Sequence, residues 1–316
     1  MDRRVLMAGV GAAATGWLVR HRTSPAVRAW KPGGGERRRA GPLAVRLLGG
    51  GEGVITALLH GLTGSGEWWG QEYDRLGGDG CVVVPDLLGF GRSLDLDRED
   101  FSLPAHLDAL DEMMAALGLD DAPLRVVGHS MGSIVAIEWA ARRPDVRRVV
   151  AFCAPLYDDE TEVRIHIARL GPLEKLFAMQ SPLAERTCAL MCEFRTLAQW
   201  LAVAISPEWP VALSRQGVLH TWPSYLGGMN GIILGTTWRD AVARLDAAGV
   251  PVVLANGAPD PVPVAGRAAA LAERFGHVAH LSHPAAGHDL PISYADWCLP
   301  LIATPTDAPT GSTNEC

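Results

Sequence analysis

Short runs of apolar, β-branched residues alternate along this chain with longer segments whose apolar positions recur every three or four residues. Such runs predict strands at residues 43–48, 54–59, 81–84, 124–127, 149–153, 250–255 and 278–281. Several runs are continuously apolar, which is typical of strands covered on both faces. Residues 102–118 show the helical spacing and end at Gly118, a favoured helix C-cap. The alternation predicts an α/β fold: a doubly wound, mostly parallel sheet.

One interval, residues 155–240, interrupts this alternation. It contains helical segments such as 183–204 and several tryptophans, but no convincing central strand. An insertion of this length is too long for a simple loop. The sequence therefore predicts a helical cap insertion at 155–240 within an α/β core formed by 43–154 and 241–303. An independent helical domain is the alternative.

The N-terminal 42 residues form a basic and apolar extension. Apolar and small residues fill positions 5–19, after Arg3-Arg4 and before Arg20. This pattern leaves three interpretations open: an export signal, an arm that contacts a membrane peripherally, or a plain extension. We expect a cytoplasmic location, with export or membrane association through residues 1–22 as the alternative. Residues 31–42 read as a flexible linker and residues 304–316 as a flexible tail.

Charge and composition remove several function classes. Residues 1–46 hold ten basic and two acidic residues, whereas the rest of the chain holds 18 basic and 33 acidic residues. An acidic main body argues against a nucleic-acid partner. No apolar run reaches the roughly 20 residues that span a bilayer. Neither a Cys-x-x-Cys pair, nor metal-ligand spacing, nor a nucleotide-binding glycine motif is present, so we expect no metal and no organic cofactor.

The sharpest chemical signal is the sequence Gly-His-Ser-Met-Gly at residues 128–132. It follows the predicted strand 124–127 and precedes a helical run, which is the context that a Gly-x-Ser-x-Gly nucleophile elbow requires. Such a turn exposes the Ser130 hydroxyl at the head of the sheet. The backbone N–H of Met131, at the helix start, then faces any anion formed there.

With these residues, the chain resembles the α/β-hydrolase fold family across residues 43–303. His60-Gly61 opens a Gly/Ser loop that is similar to the family's oxyanion loop, and the resemblance implies that Leu62 donates the second N–H. The run 84–93, Val-Pro-Asp-Leu-Leu-Gly-Phe-Gly-Arg-Ser, resembles a family turn in which Asp86 shapes the loop.

A serine hydroxyl needs a base within reach, and the base needs an orienting acid. His288, in Ala-Gly-His-Asp after the last predicted strand, resembles the family's terminal histidine and is the predicted base, with His283 as runner-up. Asp260 follows the penultimate strand in a Gly-x-x-Asp pattern and is the predicted acid. Asp158 and Asp159, one strand earlier, stay open as alternatives.

These residues predict a serine hydrolase that cleaves a carboxylic ester or thioester of a small to medium apolar molecule through an acyl-enzyme. Trp68 and Trp69, after the oxyanion loop, are candidate substrate-binding residues. His60 is a third candidate, although we also expect it to brace the loop. A hydrolase of C–C bonds in a vinylogous diketone, or a binding protein of the same fold that does not turn over its ligand, are the alternatives.

Overall fold

The strand-like runs assemble into one sheet in a computed structural model, which describes residues 15–50, 53–159, 161–163, 165 and 180–303. The strands are β1 (Glu36–Ala40), β2 (Leu43–Gly49), β3 (Val54–Leu59), β4 (Gly80–Pro85), β5 (Leu124–His129), β6 (Val146–Phe152), β7 (Val252–Gly257) and β8 (Val278–His283). Their spatial order is β1-β2-β4-β3-β5-β6-β7-β8. The β1–β2 and β2–β4 pairs are antiparallel and the others are parallel. The predicted doubly wound α/β fold is confirmed.

The first strand corrects part of the sequence interpretation. Residues 36–40, expected in a flexible linker, form β1 and pair with β2 from Glu36 opposite Leu47 to Ala40 opposite Leu43. Gly41, with φ of +55°, makes the turn between the two strands. Because β1 is an edge strand and four of its five side chains are exposed, it carries no apolar pattern that sequence reasoning could detect.

Helices cover both faces of the sheet. The α-helices are α1 (Pro25–Ala29), α2 (Leu103–Leu117), α3 (Met131–Ala141), α4 (Pro182–Glu193), α5 (Arg195–Ile205), α6 (Val211–Gln216), α7 (Trp222–Leu226), α8 (Trp238–Ala247), α9 (Arg267–Arg274), α10 (Leu290–Ser293) and α11 (Ala295–Ala303). Residues 15–23 are also helical, Gly227–Ile233 forms a π-helix, and 3₁₀ turns span Gly66–Trp68, Gln71–Asp79 and Gly91–Ser93.

Two apolar layers result from this arrangement. On one face of the sheet, buried residues of α2, α3, α8 and α9 pack against the strands. On the other face, the segment 69–76 and helices α10 and α11 do so. Helix α3 shows how deep this core is, because only Ala141 at its C-terminal end is not buried.

Between β6 and β7, the described residues form α4 to α7, the π-helix and α8. Helix α8 already belongs to the core, since Trp238 is 1% exposed and packs in the apolar layer around α3. The domain boundaries proposed from sequence stay predictions. Residues 1–14 and 304–316, which include most of the apolar N-terminal stretch and the predicted tail, lie outside the described residues.

Candidate active site

Ser130 stands at the junction of β5 and α3 in a strained backbone conformation, with φ of 54° and ψ of −123°. Its N–H donates to the Phe152 carbonyl at 2.9 Å. The flanking glycines permit the tight turn: a Cβ at Gly128 would lie 2.2 Å from the Gly132 oxygen, and one at Gly132 would lie 2.4 Å from the His60 oxygen. A non-glycine residue held at positive φ stores strain, and such residues cluster at functional sites.

The loop after β3 comes close to this elbow. A Cβ at Gly61 would lie 3.0 Å from the Ser130 Cβ, and Thr63 has a positive φ of 54°. The N–H groups of Leu62 and Met131 make no turn or cap hydrogen bond within the described chain. Two amides near a serine hydroxyl are the arrangement that can receive a developing negative charge.

His60 holds this loop in place instead of facing a ligand, which corrects its candidacy for substrate binding. It is 0% exposed, its Nδ1 lies 2.8 Å from the Gly61 carbonyl, and its Nε2 accepts from the Leu87 N–H at 2.8 Å. Burial lowers the pKa of His60, although Asp86 opposes the shift. Because both ring nitrogens are hydrogen-bonded and the residue has no exposed surface, His60 has no atom available to contact a substrate.

Asp86 shapes the neighbouring loop, as its motif implies. Its carboxylate accepts from the N–H of Gly66 at 2.6 Å and from the N–H of Arg92 at 2.6 Å. A Cβ at Gly91 would lie 2.5 Å from the same carboxylate. Asp86 therefore ties the end of β4 to the segment that follows the oxyanion loop.

His288 and Asp260 meet at the carboxyl ends of the strands. The His288 Nδ1 lies 3.0 Å from Asp260 Oδ2, and the His288 side chain is 31% exposed whereas that of Asp260 is 0% exposed. The second carboxylate oxygen of Asp260 accepts from the Val262 N–H at 2.9 Å. A buried carboxylate held on both oxygens can orient the imidazole and fix which nitrogen carries the proton.

The electrostatics of Asp260 favour its ionised form. Burial opposes its charge, but the hydrogen bond and charge of His288 outweigh that cost, so the pKa of Asp260 lies below its usual value. The Cys153 thiol also hydrogen-bonds Asp260. Burial, followed by the nearby Asp260 charge, raises the pKa of Cys153 well above its usual value. The thiol therefore stays protonated and donates a hydrogen bond to the ionised carboxylate. No sequence pattern indicated this contact.

The alternative acids and the alternative base are engaged elsewhere. Asp158 forms ion pairs with Arg239 and Arg267. Asp159 accepts from backbone N–H groups two and three residues later, at 2.7 Å and 3.0 Å. The His283 Nδ1 accepts from the N–H of Ala286 at 3.0 Å, and its ring packs against Tyr294 and Trp297. The hydrogen bonds thus single out Asp260 and His288 as the pair.

A second histidine, His129, links this pair to the elbow. It precedes Ser130, its ring lies 4.7 Å from that of His288 between centroids, and its Nε2 lies 2.8 Å from the His288 carbonyl oxygen. Trp68 stacks on the His129 ring with 4.4 Å between centroids and 17° between the planes. Burial, reinforced by the charge of His288, holds the pKa of His129 well below its usual value. The neutral ring therefore positions His288 without competing for its proton.

The two candidate tryptophans occupy different environments. Trp68 is half-buried at the site, where Trp209 from the segment between α5 and α6 lies 5.5 Å away. Trp69 is 0% exposed and packs edge-on against Tyr73 within the core. Trp69 therefore cannot contact a substrate in this conformation, which corrects its assignment, whereas Trp68 can.

The π-helix touches both predicted oxyanion residues. A Cβ at Gly228 would lie 2.6 Å from Leu62 Cδ1 and 2.9 Å from Met131 Sδ. A Cβ at Gly228 would therefore have to displace the ends of these two flexible side chains. Gly228 was not identified from sequence, because no local pattern marks a glycine that is required by a distant contact.

Among the described residues, one group could hold a metal ion: ligand atoms of His129, Cys153 and His288 lie within 4.8 Å of one another. Two of these side chains already have protein partners, since His288 is held by Asp260 and His129 by the His288 carbonyl. The thiol keeps its proton, as described above. The donor set fits a proton-relaying cluster better than a resident metal.

Sequence comparison identifies relatives of this chain in bacteria. An esterase from Chromobacterium violaceum, a pimeloyl-[acyl-carrier protein] methyl ester esterase, is 28% identical over 253 residues, which are 78% of this chain and 91% of that protein. An uncharacterized protein from Mycobacterium tuberculosis is 29% identical over 128 residues, which are 40% of this chain. That match spans only 36% of the mycobacterial protein's length.

Structural and family comparisons agree on the fold. The crystal structure of E-2-(acetamidomethylene)succinate hydrolase superposes with a TM-score of 0.63 and 19% identity, covering 86% of this chain and 99% of that one. The model of the alpha/beta hydrolase family matches residues 57–299, well over half of the chain. The resemblance inferred from the motifs is therefore confirmed, and the chain belongs to the alpha/beta hydrolase family.

Proposed function

We propose that this chain is a serine hydrolase that cleaves a carboxylic ester, or a thioester, of a small to medium apolar molecule through an acyl-enzyme. The observation that carries the proposal is the 3.0 Å contact between His288 Nδ1 and Asp260 Oδ2. The His288 ring lies 4.7 Å from that of His129, the residue that precedes Ser130 on its strained elbow. A nucleophile, a base and an orienting acid are the minimum set for this chemistry.

In the proposed reaction, the Ser130 oxygen attacks the acyl carbonyl while Nε2 of His288 takes the hydroxyl proton. The bond to the alcohol or thiol then breaks, and the leaving group receives that proton from His288. Water, deprotonated by the same imidazole, then attacks the acyl-serine. As the acid product leaves, His288 returns that proton to the Ser130 oxygen. Asp260 holds His288 through Nδ1, which leaves Nε2 for the transfers and stabilises the imidazolium.

The amides of Leu62 and Met131 supply the oxyanion hole in this proposal. Each donor of this kind contributes about 3–4 kcal/mol to the stability of a tetrahedral intermediate. Gly132 and Gly61 support the role, because a Cβ on either residue would crowd the opposite loop, at the His60 carbonyl and at the Ser130 Cβ respectively.

The substrate side of the proposal rests on the residues around Trp68. Its neighbour Trp209 comes from the segment between α5 and α6, so an aromatic pair borders the site. Aromatic and apolar walls suit an apolar acyl or alcohol group. The Chromobacterium violaceum relative is a methyl ester esterase, which also favours a carboxylic ester over a C–C bond.

Fluorophosphonate labelling combined with hydrolysis of p-nitrophenyl esters of increasing acyl length tests the proposal. The wild-type chain should label at one serine and hydrolyse the esters, and Ser130→Ala should lose both properties. Ser282→Ala, an exposed serine on β8, is the matched control and should retain both. Labelling without ester turnover would favour the C–C hydrolase or the binding protein, and labelling of Ser130→Ala would refute the assigned nucleophile.

A further inference from the structure

The large apolar side chains exposed on the described part of the chain concentrate on two adjoining helices. Seven of the twelve lie between residues 183 and 205, and two more, Leu18 and Val19, lie on helix 15–23. Scattered single apolar residues are normal on a protein surface, but a concentrated patch marks a site of interaction.

Helix α5 carries the centre of this patch. Its exposed residues include Leu197, Trp200, Leu201 and Ile205, which are 54–68% exposed and recur at three- and four-residue spacing. Its buried residues, Ala198 and Val203, are also apolar. A surface helix of a globular protein normally turns polar residues toward water. Helix α5 turns a continuous apolar face toward water instead.

Helix 15–23 extends the patch from a distant part of the chain. The Trp17 indole N–H donates to the Val203 carbonyl at 3.1 Å, and the His21 Nδ1 lies 2.8 Å from the Pro207 carbonyl oxygen. These contacts fasten the helix to the C-terminal end of α5. Leu18 and Val19, 48% and 56% exposed, thereby join the surface formed by α5.

Basic residues flank the apolar face. Arg20 and Arg22 are exposed on helix 15–23, and Arg215 lies over the Trp200 ring at 5.0 Å. A tryptophan beside a cation is typical of the membrane–water interface, and basic residues beside an apolar helix face favour anionic lipids. Glu185 and Glu193 are also exposed on α4, and Arg20 pairs with Glu208 at 3.4 Å. The apolar face therefore provides the main contact, and the arginines add a preference for anionic headgroups.

A second copy of the chain is the competing occupant, because a twofold interface would place the patch against itself. The exposed arginines beside the patch are complementary to anionic headgroups, which favours the bilayer. The geometry also argues against a spanning arrangement: no single described helix is long and apolar enough to cross a bilayer, and α4 and α5 reach the required length only as a pair bent by 114°.

We propose that the apolar face of α5, together with Leu18 and Val19, docks onto the surface of an anionic lipid bilayer. Burying several large apolar side chains among acyl chains gives the binding energy, because removal of apolar surface from water is favourable. The arginines add electrostatic attraction that weakens as salt rises. This inference concerns a surface outside the catalytic residues and does not depend on the proposed reaction.

Co-sedimentation of the full chain with phospholipid vesicles tests the proposal. The wild-type protein should pellet with vesicles of phosphatidylcholine and phosphatidylglycerol, and less with phosphatidylcholine alone. The double variant Leu197→Gln/Leu201→Gln should lose at least tenfold in vesicle affinity. The matched control is Leu96→Gln/Leu281→Gln, at exposed positions outside the patch, which should bind as the wild type does.

Three outcomes would overturn the proposal. They are no binding to either vesicle, equal binding to both vesicles, and equal loss of binding in the patch variant and the control. Sedimentation velocity without lipid tests whether a second copy of the chain covers the patch instead. A wild-type dimer that is lost only in the patch variant, together with no vesicle binding, would assign the surface to a second copy. Hydrolysis of a water-soluble ester, measured alongside, should be unchanged in both variants, so failure of the docking surface is distinguishable from failure of the proposed activity.

Discussion

Helices α3 and α5 are both eleven residues long and both predominantly apolar, yet they occupy opposite environments. Helix α3 lies between the sheet and other helices and is buried along almost its whole length. Helix α5 leaves its apolar face open to water. Apolar composition therefore predicts that a helix packs against an apolar partner, but it does not identify that partner. In α3 the partner is the sheet, and in α5 we propose that it is a bilayer.

The same contrast separates the core loops, which carry the proposed catalytic residues, from the 182–233 segment, which borders the site. Ser130, Asp260 and His288 all lie at ends of core strands or in the loops that follow them, where parallel strands bring distant segments together. The 182–233 segment contributes surfaces that touch this site, through Trp209 and Gly228. Changes in the core loops should therefore act on kcat. Changes in the 182–233 segment should act on KM or on docking, except where the segment packs on the oxyanion residues, as at Gly228.

The largest expected effect is the loss of kcat when the acid in the core loop after β7 is changed. Asp260→Asn removes the charge that orients His288, and we expect kcat to fall about 10³- to 10⁴-fold, with the fold retained. Ester hydrolysis and thermal unfolding measure the two properties. Asp158→Asn, which disrupts ion pairs to Arg239 and Arg267 but no contact with His288, should change kcat less than tenfold. If both variants behaved alike, Asp260 would not be the acid.

The next effect compares the two helices directly. Ile137→Ala in α3, where the side chain is 0% exposed, should cost about 2–5 kcal/mol of unfolding free energy because it leaves a cavity. Ile205→Ala in α5, 54% exposed, should cost less than about 0.5 kcal/mol. Urea unfolding of both variants measures the difference. A large cost at Ile205 would mean that the face is covered in solution, which would weaken the docking proposal.

Sequence reasoning predicted most of the core, and the reason lies in local pattern. The short, mainly apolar runs identified seven of the eight strands, and the Gly-His-Ser-Met-Gly motif marked the elbow at Ser130. It missed β1, because an edge strand of exposed charges is recruited by backbone hydrogen bonds instead of by side-chain burial. Such a strand forms because of its tertiary contacts, and the local sequence pattern does not reveal those contacts.

The site divides in the same way. Residues in motifs were found, but those defined by distant contacts were not: Cys153 hydrogen-bonds Asp260 more than a hundred residues away, and Gly228 packs on Leu62. The same limit led to the misassignment of Trp69, because adjacent tryptophans look alike in sequence. Only the fold shows that one faces the site and the other lies in the core.

A smaller effect is expected where the π-helix contacts the core. Gly228→Val should push against Leu62 and Met131 and displace the oxyanion loop, lowering kcat/KM about tenfold, equivalent to about 1.4 kcal/mol. Gly231→Val, in the same π-helix, is the matched control, because a Cβ there meets nothing closer than 3.6 Å. Steady-state kinetics of the two variants tests the contact. An equal loss in both would indicate a general disturbance of the π-helix.

The smallest expected effect is on the pH dependence of stability. Burial opposes the Asp260 charge, but His288 lowers the pKa of Asp260 overall, so the folded state holds this carboxylate ionised more firmly than the unfolded state does. That contribution is present above the unfolded pKa, about 3.9, and is lost as pH falls through the lower folded pKa. The unfolding free energies of wild type and Asp260→Asn should therefore converge below about pH 4. A gap that widened there would mean that the folded protein binds the proton more readily than the unfolded chain, and that Asp260 is not held as an anion beside His288.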